Sequence, residues 1–220
     1  MDALDRLAEP GLDLLARVDT LLAAGAPEGH RLWPLLRRMQ VLPGAAVREF
    51  LDLHPAPLVD AGHAVRRLVR GYDDACAVLA DPVAWSGPAA SAYDEARTAL
   101  LRHLDEGPES LVGRLESTAG YADALADWVE GSRLALARAL ADVLRSAEAV
   151  TVHTTTAASG DGRAGALAAA EIGTRVLSVL GVAYDGAETL LRQWAPSLAE
   201  TAWRERTTGV RTANSTMRIG

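Results

Sequence analysis

The stretch LVDAGHAVRRLVRGYDDACAVL, residues 58–79, carries the clearest helical pattern in the chain. Leu58, Ala61, Val65, Leu68, Tyr72, Ala75 and Leu79 follow one another at gaps of three and four, with Arg66, Arg67, Arg70, Asp73 and Asp74 between them. A turn of 3.6 residues gathers the first set into one narrow apolar stripe with charges around it, the pattern of a helix that packs lengthwise on another helix. Asp81 and Pro82 end that pattern, and a compact turn over residues 83–88 leads into a second one. It runs through Tyr93, Ala96, Leu100 and Leu104 and resumes beyond Gly107 and Pro108 with Leu111, Leu115, Ala122, Leu125, Val129, Leu136, Leu140, Val143 and Ala147. Two such arms on either side of a short turn predict an antiparallel helical hairpin over residues 57–150.

The first arm is about 35–40 Å long at 1.5 Å per residue and the second about 90 Å, so the second overhangs. Leu125, Trp128, Leu136 and Leu140 on its far half need another cover, which the helical pattern from Ala169 through Ile172, Val176, Val179 and Ala183 to Leu198 supplies. Residues 151–165, rich in Thr, Ser, Gly and Asp, are expected to be a flexible linker before a C-terminal helix and tail at 166–220. Residues 1–56 read as an extension of short helices, broken at Pro10-Gly11, at 25–29, at Pro43-Gly44 and at 54–57. The expected fold class is all-α, an elongated bundle built on the hairpin.

Composition agrees. Of 220 residues about a fifth are Ala and a seventh Leu, against two Ile and one Phe, so the strong helix formers dominate the sheet formers. All 22 basic residues are Arg, which reads as the coding bias of a GC-rich genome. A net charge of −7 with no basic run beyond pairs such as Arg37-Arg38 argues against a nucleic-acid partner. The acidic start Met1-Asp2-Ala3-Leu4-Asp5 is unlike a signal peptide, and no uncharged apolar run suggests stable membrane insertion, so a cytoplasmic protein is expected. Cys76 is the single cysteine and is expected to be a small core residue. The five His residues show no ligand spacing, and no catalytic site, metal or cofactor is expected.

The turn carries the most specific signal. Trp85-Ser86-Gly87, followed by Pro88, Ala89, Ala90 and Tyr93 between two amphipathic helices, resembles the Trp-Xaa-Gly turn of the WXG superfamily of type VII (ESX) secretion proteins. Gly frees the backbone for the reversal and Pro suits the first turn of the new helix. Substrates of that pathway carry a Tyr followed four residues later by Asp or Glu on a later helix. Tyr184 and Glu188 match that spacing, which puts phenol and carboxylate on one helical face. Over roughly residues 57–200 the resemblance implies a non-enzymatic protein, a secretion substrate or the partner of one. It would bind a helical protein or a second copy of itself, present Tyr184 and Glu188 to the secretion ATPase, and leave the cell by a signal-peptide-independent route. The alternative is a helical adaptor, chaperone or immunity-like protein that stays in the cytosol. A more remote alternative is a dinucleotide-binding enzyme, because residues 160–165 spell Gly-Asp-Gly-Arg-Ala-Gly after the β-prone segment 150–156, with Asp185 about twenty residues on. It requires a strand at 150–156.

Overall fold

The computed structural model describes residues 1–81, 84–155 and 162–199, and the chain is all-α throughout them. Eight helices follow one another: α1 (Ala3–Ala24), α2 (Leu32–Met39), α3 (Pro43–Leu51), α4 (Ala56–Ala80), α5 (Pro88–Asp105), α6 (Leu111–Leu144), α7 (Ala147–Thr154) and α8 (Gly162–Ala199). Their starts are chemically marked. Asp2 and Asp5 close a capping box at the head of α1, and the Ser110 and Ser146 hydroxyls accept from the Gly113 and Ala149 N–H at the heads of α6 and α7.

The long helices α6 and α8 form the spine, antiparallel to each other, and α6 alone is about 50 Å long. The expected cover of the overhang is thus met: Leu136 and Leu140 are buried with Ile172, Val176 and Leu177, and the Trp128 indole N–H donates to the Ala183 carbonyl at 2.8 Å. Residues 1–56 are part of this core rather than an appendage. Leu14, Leu15, Val18, Val47 and Phe50 are fully buried in the same cluster. Pro10 does not interrupt α1. Its missing N–H costs one helical hydrogen bond, and burial of Leu4, Leu14 and Leu15 on either side holds the helix together. Gly11 then lets α6 come close, since a Cβ there would lie 3.3 Å from the Leu140 side chain.

The other end is built differently from the sequence expectation. α4 packs along the N-terminal half of α6, much more extensively than along α5. Gly62 faces the Ala119 carbonyl, and Arg66 pairs with Asp123. The second arm is two helices, α5 and α6, separated at 106–110, where Gly107 has φ +90°. Arg97, midway along α5, donates to the carbonyls of Leu79 (2.7 Å) and Ala80 (3.0 Å), so α5 caps the end of α4 and leaves its flank to α6. The buried seam of α4 is accordingly Gly62, Val69 and Cys76, with Val65, Tyr72 and Leu79 half-buried beside it. Cys76 is a buried free thiol, and burial together with the Asp105 and Asp73 charges pushes its pKa up.

The segment expected as a linker is helical at both ends, because α7 runs to Thr154 and α8 begins at Gly162. Residues 156–161, which include the first Gly of the dinucleotide-like motif, lie outside the described residues, as does the tail 200–220. The strand that the dinucleotide reading requires is instead helix through Thr154. By length and mean hydropathy (1.5) α8 could cross a membrane, but 61% of that apolar stretch is buried inside the protein, as a core helix demands.

Candidate functional site

Two places carry the residues singled out by sequence, and the fold keeps them apart. One is the turn between α4 and α5. Gly87 caps α5 with φ +117° and ψ 175°, a conformation open to Gly alone, and its carbonyl accepts from the Ala90 and Ser91 N–H groups. A Cβ on Gly87 would meet open space, so the backbone angle alone demands glycine here. Trp85 is 50% exposed, and its ring lies 6.1 Å from that of Tyr93, itself exposed. The Trp therefore rests on the first turns of α5 and is not sunk into the bundle.

The other place is a cleft of about 330 Å³ lined by Arg38, Met39, Val41, Ala46, Glu49, Tyr184 and Glu188. Tyr184 and Glu188 do share one face of α8, as their spacing predicts. Tyr184 is half-buried, held edge-on by Phe50 at 6.4 Å, and Phe50 in turn meets Trp128 at 6.2 Å. Glu188 is exposed. Between them Asp185 takes a two-pronged ion pair from Arg38 of α2, and the same guanidinium reaches the Gly181 carbonyl at 3.4 Å. The hydrogen bond from Arg38 holds the Asp185 carboxyl below the usual range and raises the Arg38 pKa in return. With Arg38 matched to Asp185, the charges left to the cleft are the carboxylates of Glu49 and Glu188. The cleft lies beside Trp128, whereas the α4–α5 turn follows Ala80, at the far end of α4 from its contact with Ala119, so more than about 25 Å of the bundle separates the two.

Sequence reasoning did not find Arg38 or Glu49, which come from helices about 140 residues away from Tyr184 and carry no local signal. It also passed over Arg133, which had one. Val129, Arg133, Leu136 and Leu140 fall at gaps of four, three and four, so the Arg stands in the core stripe of α6. Its side chain is 2% exposed. It donates to Asp2 at 2.6 Å, to Asp5 at 2.5 Å, and to the carbonyls of Leu51 and Leu53 at 2.9 and 2.8 Å. Burial opposes its charge, but the two aspartates prevail and raise its pKa, and the hydrogen bond from Arg133 lowers that of Asp2 to about 2. This is a structural clamp: it ties the start of α1 and the end of α3 to the middle of α6.

No family model, no curated protein and no solved structure matches the chain.

Proposed function

We propose that this protein acts by binding other helical proteins and not by catalysis, as a substrate of a type VII secretion system or the partner of one. The observation that carries the reading is Trp85. A Trp kept at a Trp-Xaa-Gly turn purely for folding belongs under neighbouring helices, whereas this one stands half-exposed beside the exposed Tyr93. Large aromatic side chains in that state are what protein interfaces use as anchors. The common cleft of Tyr184 and Glu188 supports the second part of the reading, because a partner can touch both groups in one approach. The secretion ATPase is the partner that the resemblance implies for them, and a helical protein the one for the turn.

The test is export from a host that carries the secretion system. Wild-type protein is expected in the culture supernatant, and Tyr184→Ala is expected to remain in the cells while giving an unchanged circular dichroism spectrum. Retention of wild type under every condition overturns the secretion reading and leaves a cytosolic adaptor, chaperone or immunity-like protein in its place. Export of Tyr184→Ala at the wild-type level removes the role given to Tyr184.

A further inference from the structure

The stripe of α4 is only half used by the fold. Of its residues, Leu58, Val65, Tyr72 and Leu79 are half-buried, while Ala61, Leu68 and Ala75 stay outside. With Ala64, Gly71 and Val78 these three form a second stripe, again at alternating gaps of three and four, on the outer face of α4. Leu68 is 55% and Val78 75% exposed, and a Cβ on Gly71 would meet nothing within 4 Å. An apolar heptad stripe more than fifteen residues long is the seam of a helix pair, and within the described residues no helix covers it.

Arg67 and Asp74 border this stripe on its free side, and neither forms an ion pair among the described residues. Their arrangement identifies the occupant. If a second α4 runs antiparallel with its position 71 against Leu68, position 78 falls against Ala61 and position 75 against Ala64. Each large side chain then meets a small one, Leu68 over Gly71 and Val78 over Ala61, in both directions of the two-fold. The same register brings Arg67 within a turn of Asp74 of the second copy, twice over. A parallel pairing would instead set Leu68 on Leu68 and place Arg67 and Asp74 of one copy on the opposite side of the seam from those of the other, so the two could not pair. One cost remains, since Asp60 and Asp81 face each other across copies at the two exposed ends, where solvent and salt screen them.

We propose that the outer face of α4 docks a second copy of this chain, antiparallel, with Leu68 seated on Gly71 of the second copy and Arg67 paired with Asp74. The inference goes beyond the helix-binding reading, which rests on the turn at Trp85, by adding the outer face of α4 as a second surface and naming its partner. It is separable from that reading, because export or its loss can be scored whatever the mass in solution.

The test uses the full chain in size-exclusion chromatography with light scattering, followed by sedimentation equilibrium. At about 100 µM the expected mass is twice 23.2 kDa, with dissociation on dilution into the low micromolar range. Leu68→Glu is expected to leave only monomer. Arg67→Asp and Asp74→Arg should each weaken self-association at least tenfold, while an equimolar mixture of the two associates at least as well as wild type. Asp60→Arg, which turns the end repulsions into attractions, should tighten it. All four positions are solvent-facing, so an unchanged circular dichroism melt certifies the fold. A monomer at every concentration overturns the proposal, as does a dimer indifferent to Leu68→Glu, or single charge variants that are not rescued by mixing.

Discussion

Replacing Arg133 by Met keeps the length and apolar stem of the side chain and removes its charge and donors. Two hydrogen bonds to carboxylates and two to carbonyls disappear. Breaking a buried pair by removing one partner costs about 3–5 kcal/mol, because the other partner is left without compensation. Here the orphaned groups regain some water, with Asp2 44% and Asp5 26% exposed, so the lower end of that range, about 3 kcal/mol, is expected. In urea unfolding, with a slope near 3 kcal/mol/M for a chain of this size, the midpoint should fall by about 1 M with the slope unchanged. The pH dependence gives a second reading of the same contact. The folded pKa of Asp2 is about 2, against an ordinary 3.8. Between those values the unfolded chain binds more protons than the folded one, so stability rises with pH there, is complete above about pH 4 and is lost as pH falls through the folded pKa. The full displacement corresponds to about 2.5 kcal/mol, and the exposure of Asp2 to solvent reduces this to about 1 kcal/mol. Wild type should lose that increment between about pH 4 and 2, and Arg133→Met should lack it. A stability loss below about 1 kcal/mol, or an unaltered acid slope in the variant, would refute the clamp.

Trp85→Ala should cost about 1 kcal/mol in chemical denaturation, against 3–5 kcal/mol for a buried Trp, and a loss of 3 or more would show that the ring is buried by the bundle. Gly87→Ala should destabilise by about 1–3 kcal/mol through its positive φ, with no packing term since the space is open; a neutral substitution would mean that the turn adopts another conformation. Trp128→Phe removes the hydrogen bond to the Ala183 carbonyl while keeping the contact with Phe50, and should cost about 1–2 kcal/mol by thermal or urea unfolding. No loss there would place that indole N–H in solvent.

Much of the fold was legible because helix formation is written locally. The stripes of residues 58–79 and 169–198 fall on α4 and α8, and the need of Leu136 and Leu140 for cover led correctly to the last helix. The shared face of Tyr184 and Glu188 followed from spacing alone. The rest of their cleft did not, since Arg38 and Glu49 reach it only after α2 and α3 dock on α8. Pro10 misled as a breaker because the contacts of Leu4, Leu14 and Leu15 outweigh one lost hydrogen bond.

That the chain is helical, where most helices lie and which residues share a face can be read along the chain, since 3.6 residues per turn makes all of this a matter of near neighbours. Which face meets which is set by packing between distant segments. The stripe of α4 is compatible with α5, α6 or another chain, and the choice falls to whichever arrangement buries the most apolar surface at once. Since α6 takes one side of that stripe and α5 caps its end, Leu68 and Val78 are left facing outward. The burial of Arg133 has the same origin: its place in the core stripe of α6 is local, but the two aspartates and two carbonyls that make the charge tolerable there arrive from residues 2–5 and 51–53.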